Sequence, residues 1–183
     1  MKIKIYAIGK IKDTYLKMGI EDYLTKIKPY CNIEVIELKD EPINDNPNDS
    51  DIKKAIDIEG LRVIKALKPN EYLIGLDLNK KEFNSVEFAD YLMNKMEISG
   101  SNLSFVIGGS YGLSDELKKR CNDSFSLSKM TFLHQMTRLI LLEQIYRAFK
   151  INRNETYHKW SIKNFLNLKK LRIIIIHSVI TMS

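Results

Sequence analysis

Residues 125–149 read FSLSKMTFLHQMTRLILLEQIYRAF, and their reading decides the fold. A short polar-alternating run comes first, then a tight loop, then a long helix with almost no polar face. Along that helix Met136, Leu139, Ile140, Leu142, Tyr146 and Phe149 recur at three- and four-residue steps. Leu141, Ile145 and Ala148 widen the stripe beyond an ordinary amphipathic arc, so the helix needs partners on two sides. Glu143 and Arg147 are spaced to pair along it in the favourable order, and His134 and Arg138 stand near its start. The loop Ser126-Leu127-Ser128-Lys129-Met130-Thr131 brings backbone donors and acceptors to the mouth of a sheet, where a small ligand would bind.

Working outward, strand-like and helix-like segments alternate, which predicts an α/β fold with a parallel-rich sheet flanked by helices. Residues 2–7 alternate with Ile3 and Ile5 on one face. Asp13 or Thr14 opens a helix carrying Leu16, Ile20, Tyr23, Leu24 and Ile27, and Pro29 stops it. A strand over 33–38 follows, then an acidic, two-proline stretch over 40–50 that reads as a surface loop. Ser50 or Asp51 is expected to cap a helix carrying Ile52, Ile56, Val63 and Leu67, ended by Pro69-Asn70. A buried strand is expected over 72–78, a helix from Ser85 with Phe88, Leu92 and Met96 inward, and a strand over 103–107. Gly108-Gly109-Ser110-Tyr111-Gly112 comes next, and Ser114 caps a short helix.

The chain has 183 residues, the length of one domain, with 44% hydrophobic and 28% charged residues, as in ordinary globular proteins. The net charge is +6, but residues 160–183 carry Lys163, Lys169, Lys170 and Arg172 without an acid, which leaves only +2 for residues 1–159. That is a thin positive surface for gripping naked nucleic acid by counterion release. Cys31 and Cys121 have neither CxxC nor Cys/His ligand spacing, so they read as unpaired thiols of a reducing compartment, and no metal site is visible. The start of the chain lacks a signal-peptide pattern, and the expected location is cytoplasmic.

Leu76-Asp77, Gly108-Gly109 and residues 127–132 all follow strands at their carboxyl ends, where open α/β sheets form their ligand crevice. The spacing G-G-x-x-G is not that of a dinucleotide fingerprint, and the phosphate-loop signature is absent, which argues against a nucleotide held by its phosphates. A tight strand-to-helix turn with no ligand is the competing reading of the glycine pair.

Three stretches carry a resemblance: Ile107 to Gly112, Ser126 to Arg138 (SLSKMTFLHQMTR), and EQIYRA at 143–148 with Tyr157-His158-Lys159. In that order over residues 1–159, they resemble the ribosomal RNA large-subunit methyltransferase H family, small SPOUT-class enzymes with a C-terminal trefoil knot. The resemblance implies a homodimer that transfers a methyl group from S-adenosylmethionine to N3 of a pseudouridine in 23S rRNA, with the assembled ribosome as substrate. At matching positions it implies cofactor contacts from Leu76, Gly108, Leu127, Ser128, Lys129, Met130, Thr131 and Phe132. No metal and no membrane enter that activity.

Methyl transfer from a sulfonium needs alignment of donor and acceptor, and N3–H must lose its proton. His158 is the first candidate for a substrate-side role, with Tyr157 and Lys159 beside it and Arg138 as an anion stabiliser. His134 is either a second RNA contact or a helix-start residue satisfied by nearby backbone groups. The general base is unassigned. Residues 160–183 continue past the triplet on which the family normally ends, and Ile173–Ile176 is too short an apolar run to cross a bilayer. Two other functions fit the same residues: a non-catalytic ribosome-binding or assembly factor, and a related knotted tRNA methyltransferase.

Overall fold

The structure, a computed structural model, describes residues 1–157. His158, Lys159 and the extension over 160–183 lie outside the described residues. In chain order the elements are β1 (Lys2–Ile8), α1 (Thr14–Ile27), β2 (Asn32–Leu38), α2 (Asp49–Ala66), β3 (Tyr72–Leu76), α3 (Ser85–Ile98), β4 (Asn102–Ile107), α4 (Asp115–Arg120), β5 (Asp123–Phe125) and α5 (His134–Asn152). The five strands form one parallel sheet in the order β2-β1-β4-β3-β5.

A parallel sheet is covered on both faces, so its central strands are apolar on both sides. On one face Ile3, Ile5, Leu103 and Phe105 meet α1, α3 and α5 through Ile20, Phe88, Leu92, Leu142 and Ile145. On the other, Tyr6, Ile8, Leu73 and Val106 meet Val63 of α2 and Leu117 of α4. The helix that the sequence leaves needing two partners lies against both α1 and α3. Leu141, Leu142 and Ile145 are fully buried, each contributing roughly 1.5–3 kcal/mol of hydrophobic free energy. Its expected pair forms, with Arg147 donating from Nε to Glu143 Oε1 at 3.0 Å.

Two boundaries differ from expectation by two residues or more. Helix α2 starts before Ser50, because Asn48 and Asp51 form a reciprocal capping box in which Asp51 N donates to Asn48 Oδ1 at 2.9 Å and Asn48 N to Asp51 Oδ2 at 3.3 Å. Strand β3 ends at Leu76 rather than 78, since the chain turns at Asn79, whose φ is 60°. Both cysteines are free thiols, and burial pushes Cys31 up to about 12 and Cys121 up to about 11, which keeps them unreactive.

Near the amino ends of the strands a buried carboxylate holds three elements together. Glu71 accepts from Lys4 Nζ and Tyr6 Oη at 3.0 Å, from Ser104 Oγ at 2.5 Å and from Lys68 N at 3.1 Å. Burial alone would raise its pKa, but these donors, Ser104 foremost, hold it below the ordinary 4.5. A depressed carboxylate stabilises the fold fully above its unfolded pKa and ceases to do so as pH falls through its folded value. Glu71→Gln is therefore expected to lower the urea-unfolding free energy at pH 7 by about 2 kcal/mol. The gap to the unaltered chain should close in melts taken progressively below pH 4.5.

Candidate active site

The carboxyl ends of β3, β4 and β5 and the loops that leave them enclose a cavity of about 800 Å³. Of the expected ligand-holding residues, Leu76, Gly108, Leu127, Ser128, Met130, Thr131 and Phe132 all line it. Lys129 belongs to the same loop with an exposed side chain and is not part of the lining. The loop is braced by its own atoms. Ser126 Oγ donates to Ser128 O at 2.7 Å, Met130 N donates to Ser128 Oγ at 3.0 Å, and Ser126 N donates to Lys81 O at 2.9 Å.

The glycine pair has steric causes. A Cβ on Gly108 would lie 2.3 Å from Gly112 O, so only glycine lets that backbone fold against the cavity. A Cβ on Gly109 would lie 2.8 Å from Glu59 Oε2, because the carboxylate of Glu59 packs beneath the loop. Glu59 is 92% buried and accepts from Glu41 N at 2.9 Å; burial, with Asp40 and Glu41 nearby, pushes it above the ordinary carboxylate range. Sequence reading missed it because α2 turns Ala55, Glu59, Gly60 and Val63 inward, a stripe with only one large apolar residue. Lys118 was missed as well; its Nζ lies 3.4 Å from Asp77 Oδ1, and both residues line the cavity.

His134, the first residue of α5, lines the cavity and is half-buried. Its Nε2 lies 3.6 Å from the point a Cβ on Gly9 would occupy, with Asp40 Cβ 3.9 Å from the same point. Its imidazole makes no hydrogen bond among the described residues, so the backbone-satisfied reading of this histidine does not hold.

Arg138 sits one turn further along and is fully buried. Its Nη2 donates to Ile8 O at 2.5 Å and Gly9 O at 2.9 Å, and its Nη1 to Glu37 Oε1 at 2.9 Å. The guanidinium is thus engaged beneath the cavity and absent from its lining.

Tyr157 is also elsewhere. Its hydroxyl donates to Glu143 Oε1 at 3.2 Å and lies 3.4 Å from Tyr23 Oη, and its ring centroid is 5.0 Å from that of Tyr146. Burial first, then the Tyr23 hydroxyl and the Glu143 carboxylate, push its pKa above the ordinary phenol range, so it stays protonated. Glu143 lies nine residues beyond His134, about 13 Å along the helix, so the chain end is docked away from its own cavity.

Residues 1–158 match the family model described as "Predicted SPOUT methyltransferase". This chain belongs to the SPOUT methyltransferase family. It is 46% identical over 159 residues to proteins named "Ribosomal RNA large subunit methyltransferase H" from Carboxydothermus hydrogenoformans and from Bacillus thuringiensis strain Al Hakam, covering 87% of this chain and the whole of each relative. A solved structure of a probable methylase family protein from Haemophilus influenzae Rd KW20 superposes with a TM-score of 0.46 at 15% identity, covering 92% of this chain and 70% of that one. Among the described residues there is no cluster of His, Cys, Asp or Glu that could hold a metal, and no helix long and apolar enough to cross a membrane.

Arg138→Ala removes the cation that meets Glu37 and the carbonyls of Ile8 and Gly9, and is expected to cost about 3 kcal/mol in urea unfolding. Arg138→Lys should recover less than half of that loss, because an ammonium cannot span the three acceptors as a planar fork does.

Proposed function

We propose that this chain is an S-adenosylmethionine-dependent methyltransferase acting on N3 of a pseudouridine in 23S rRNA of the assembled ribosome. The observation that carries the reading is the cavity walled by Leu76, Gly108 and the 127–132 loop, in a chain nearly half identical to the named large-subunit methyltransferases. Its fit to the donor rests on this chain's own groups. Leu76, Leu127 and Phe132 offer apolar walls for a purine ring, Gly108 leaves backbone open to close approach, and Asp77 presents a carboxylate to hydroxyl or ammonium groups. When bound, S-adenosylmethionine supplies an electrophilic methyl carbon on a sulfonium. Ser128, Met130 and Thr131 complete the holding loop, with Lys129 contributing through its backbone position.

In this reading Arg138 is a positioning residue that fixes the first turn of α5 against β1. Tyr157, His158, Lys159 and His134 are the substrate-side residues. One observation supports a homodimer. Helix α1 exposes Tyr15 and Met18, and its Gly19 lies against the half-buried Leu139 of α5, so apolar surface that a second copy would cover borders the α1–α5 contact. The trefoil knot belongs to the same reading, supported by the return of α5 from the β5 edge of the sheet to the end of β1. Residues 1–159 form the enzyme, residues 160–183 are an accessory extension, and the site of action is the cytoplasm.

Labelled S-adenosylmethionine should transfer its methyl to 23S rRNA in unmodified assembled ribosomes, both with the full chain and with one truncated after Lys159. Much weaker label is expected on deproteinised 23S rRNA. Label on tRNA instead, or none on ribosomes despite donor binding, would overturn the substrate assignment in favour of the tRNA enzyme or the binding factor respectively.

A further inference from the structure

The first turn of α5 places an imidazole where this reaction lacks a group. The base N3–H must lose its proton before or as the methyl arrives, and the other candidate side chains described above are poorly suited to take it. Lys118 is a cation beside Asp77, Arg138 is engaged with Glu37 and two carbonyls, and the Tyr157 hydroxyl donates to Glu143. Resting on the methyltransferase reading above, we infer that His134 is the proton acceptor of the reaction and that Asp40 is its positioning partner.

Three features carry the assignment. His134 lines the same cavity as the donor-holding loop, which ends at Leu133, the residue before it. Its nitrogens are uncommitted among the described residues, so one of them is available to a proton on an incoming base. His134 Nε2, Arg138 Nη2 and the Asp40 Cβ lie 3.6, 3.8 and 3.9 Å from the one point that a Cβ on Gly9 would occupy, so the three side chains share one small region beside the cavity. That arrangement also sets the resting charge. Burial foremost, then Arg138 of α5, with Lys12 of the β1–α1 loop adding to it, lowers the His134 pKa below the ordinary 6.5, while Asp40 of the β2–α2 loop raises it. Protonation at the start of a helix is disfavoured further by the macrodipole. His134 is therefore neutral at physiological pH, as an acceptor must be.

Atoms and electrons balance within the proposed methyl transfer. The N3–H bond breaks and its proton passes to the free imidazole nitrogen. N3 keeps the electron pair and forms the bond to the methyl carbon, and the pair of the broken carbon–sulfur bond stays on sulfur. The imidazolium then releases its proton to water, with Asp40 steadying the transient charge.

The test uses the full chain, assembled ribosomes and S-adenosylhomocysteine as the binding probe. His134→Gln keeps a polar side chain of similar reach without the basicity. It should bind the probe within about threefold of the unaltered chain and lose on the order of 100-fold or more in single-turnover rate. The unaltered chain should show a rate that rises with pH along a limb absent from His134→Gln. The limb's midpoint should match the NMR titration of the His134 ring, below 6.5. Asp40→Asn should move both the limb and the NMR midpoint to lower pH, because it removes the carboxylate that raises the histidine among the described residues. A His134→Gln rate within tenfold, a probe affinity that falls as far as the rate, or a limb that Asp40→Asn leaves in place would overturn the assignment. No transfer by the unaltered chain would overturn it together with the methyltransferase reading.

Discussion

Among the described residues one buried cation ties the sheet to α5. Arg138 has no exposure to solvent, and its guanidinium spans the carbonyls of Ile8 and Gly9 and the carboxylate of Glu37. A desolvated guanidinium is tolerated only where donors meet acceptors, and here most of them do; of its nitrogens Nε alone has no partner among the described residues. Glu37 in turn accepts from Ile11 N at 3.0 Å, and Gln135 Oε1 accepts from Lys12 N at 3.2 Å. The end of β1, the loop that follows it and the start of α5 are therefore one hydrogen-bonded unit. His134 inherits its orientation from that unit, and so does the loop that ends where α5 begins.

The molecule divides its polar work between the two ends of the sheet. At the amino ends, Lys4, Tyr6 and Ser104 converge on Glu71 and close a network far from the ligand crevice. At the carboxyl ends, Glu59, Asp77 and His134 face or underlie the cavity, and burial holds Glu59 and His134 away from their ordinary pKa values, in the uncharged direction for both. The first group is matched to stability, the second to chemistry.

The alternation of strands and helices, the inward faces of α1 and α3 and the exposure of the 40–48 segment were legible in the chain, because each rests on local periodicity or turn chemistry. So was the crevice, since Leu76, Gly108 and the 127–132 loop follow three strands whose carboxyl ends share one side. Arg138 was not. On an apolar helix a lone arginine reads as a group reaching for an anion, and only the distant carbonyls of β1 reveal it as a clamp. Glu59 escaped for the converse reason: a polar residue on an inward stripe looks like an interruption until the glycine turn above it is in place. The docking of Tyr157 on Tyr23, Tyr146 and Glu143 depends on three positions spread over more than a hundred residues, which no local pattern connects.

The hydroxyls of Ser126 and Ser128 have a thermodynamic consequence of their own. By bonding within the segment they hold the cavity wall in shape before anything occupies it. The conformational freedom of those residues is surrendered once, during folding, and a molecule entering the crevice meets a wall that needs little further ordering. Affinity at such a wall tracks the contacts made, with only a small entropic deduction, and release leaves the wall standing for the next turnover.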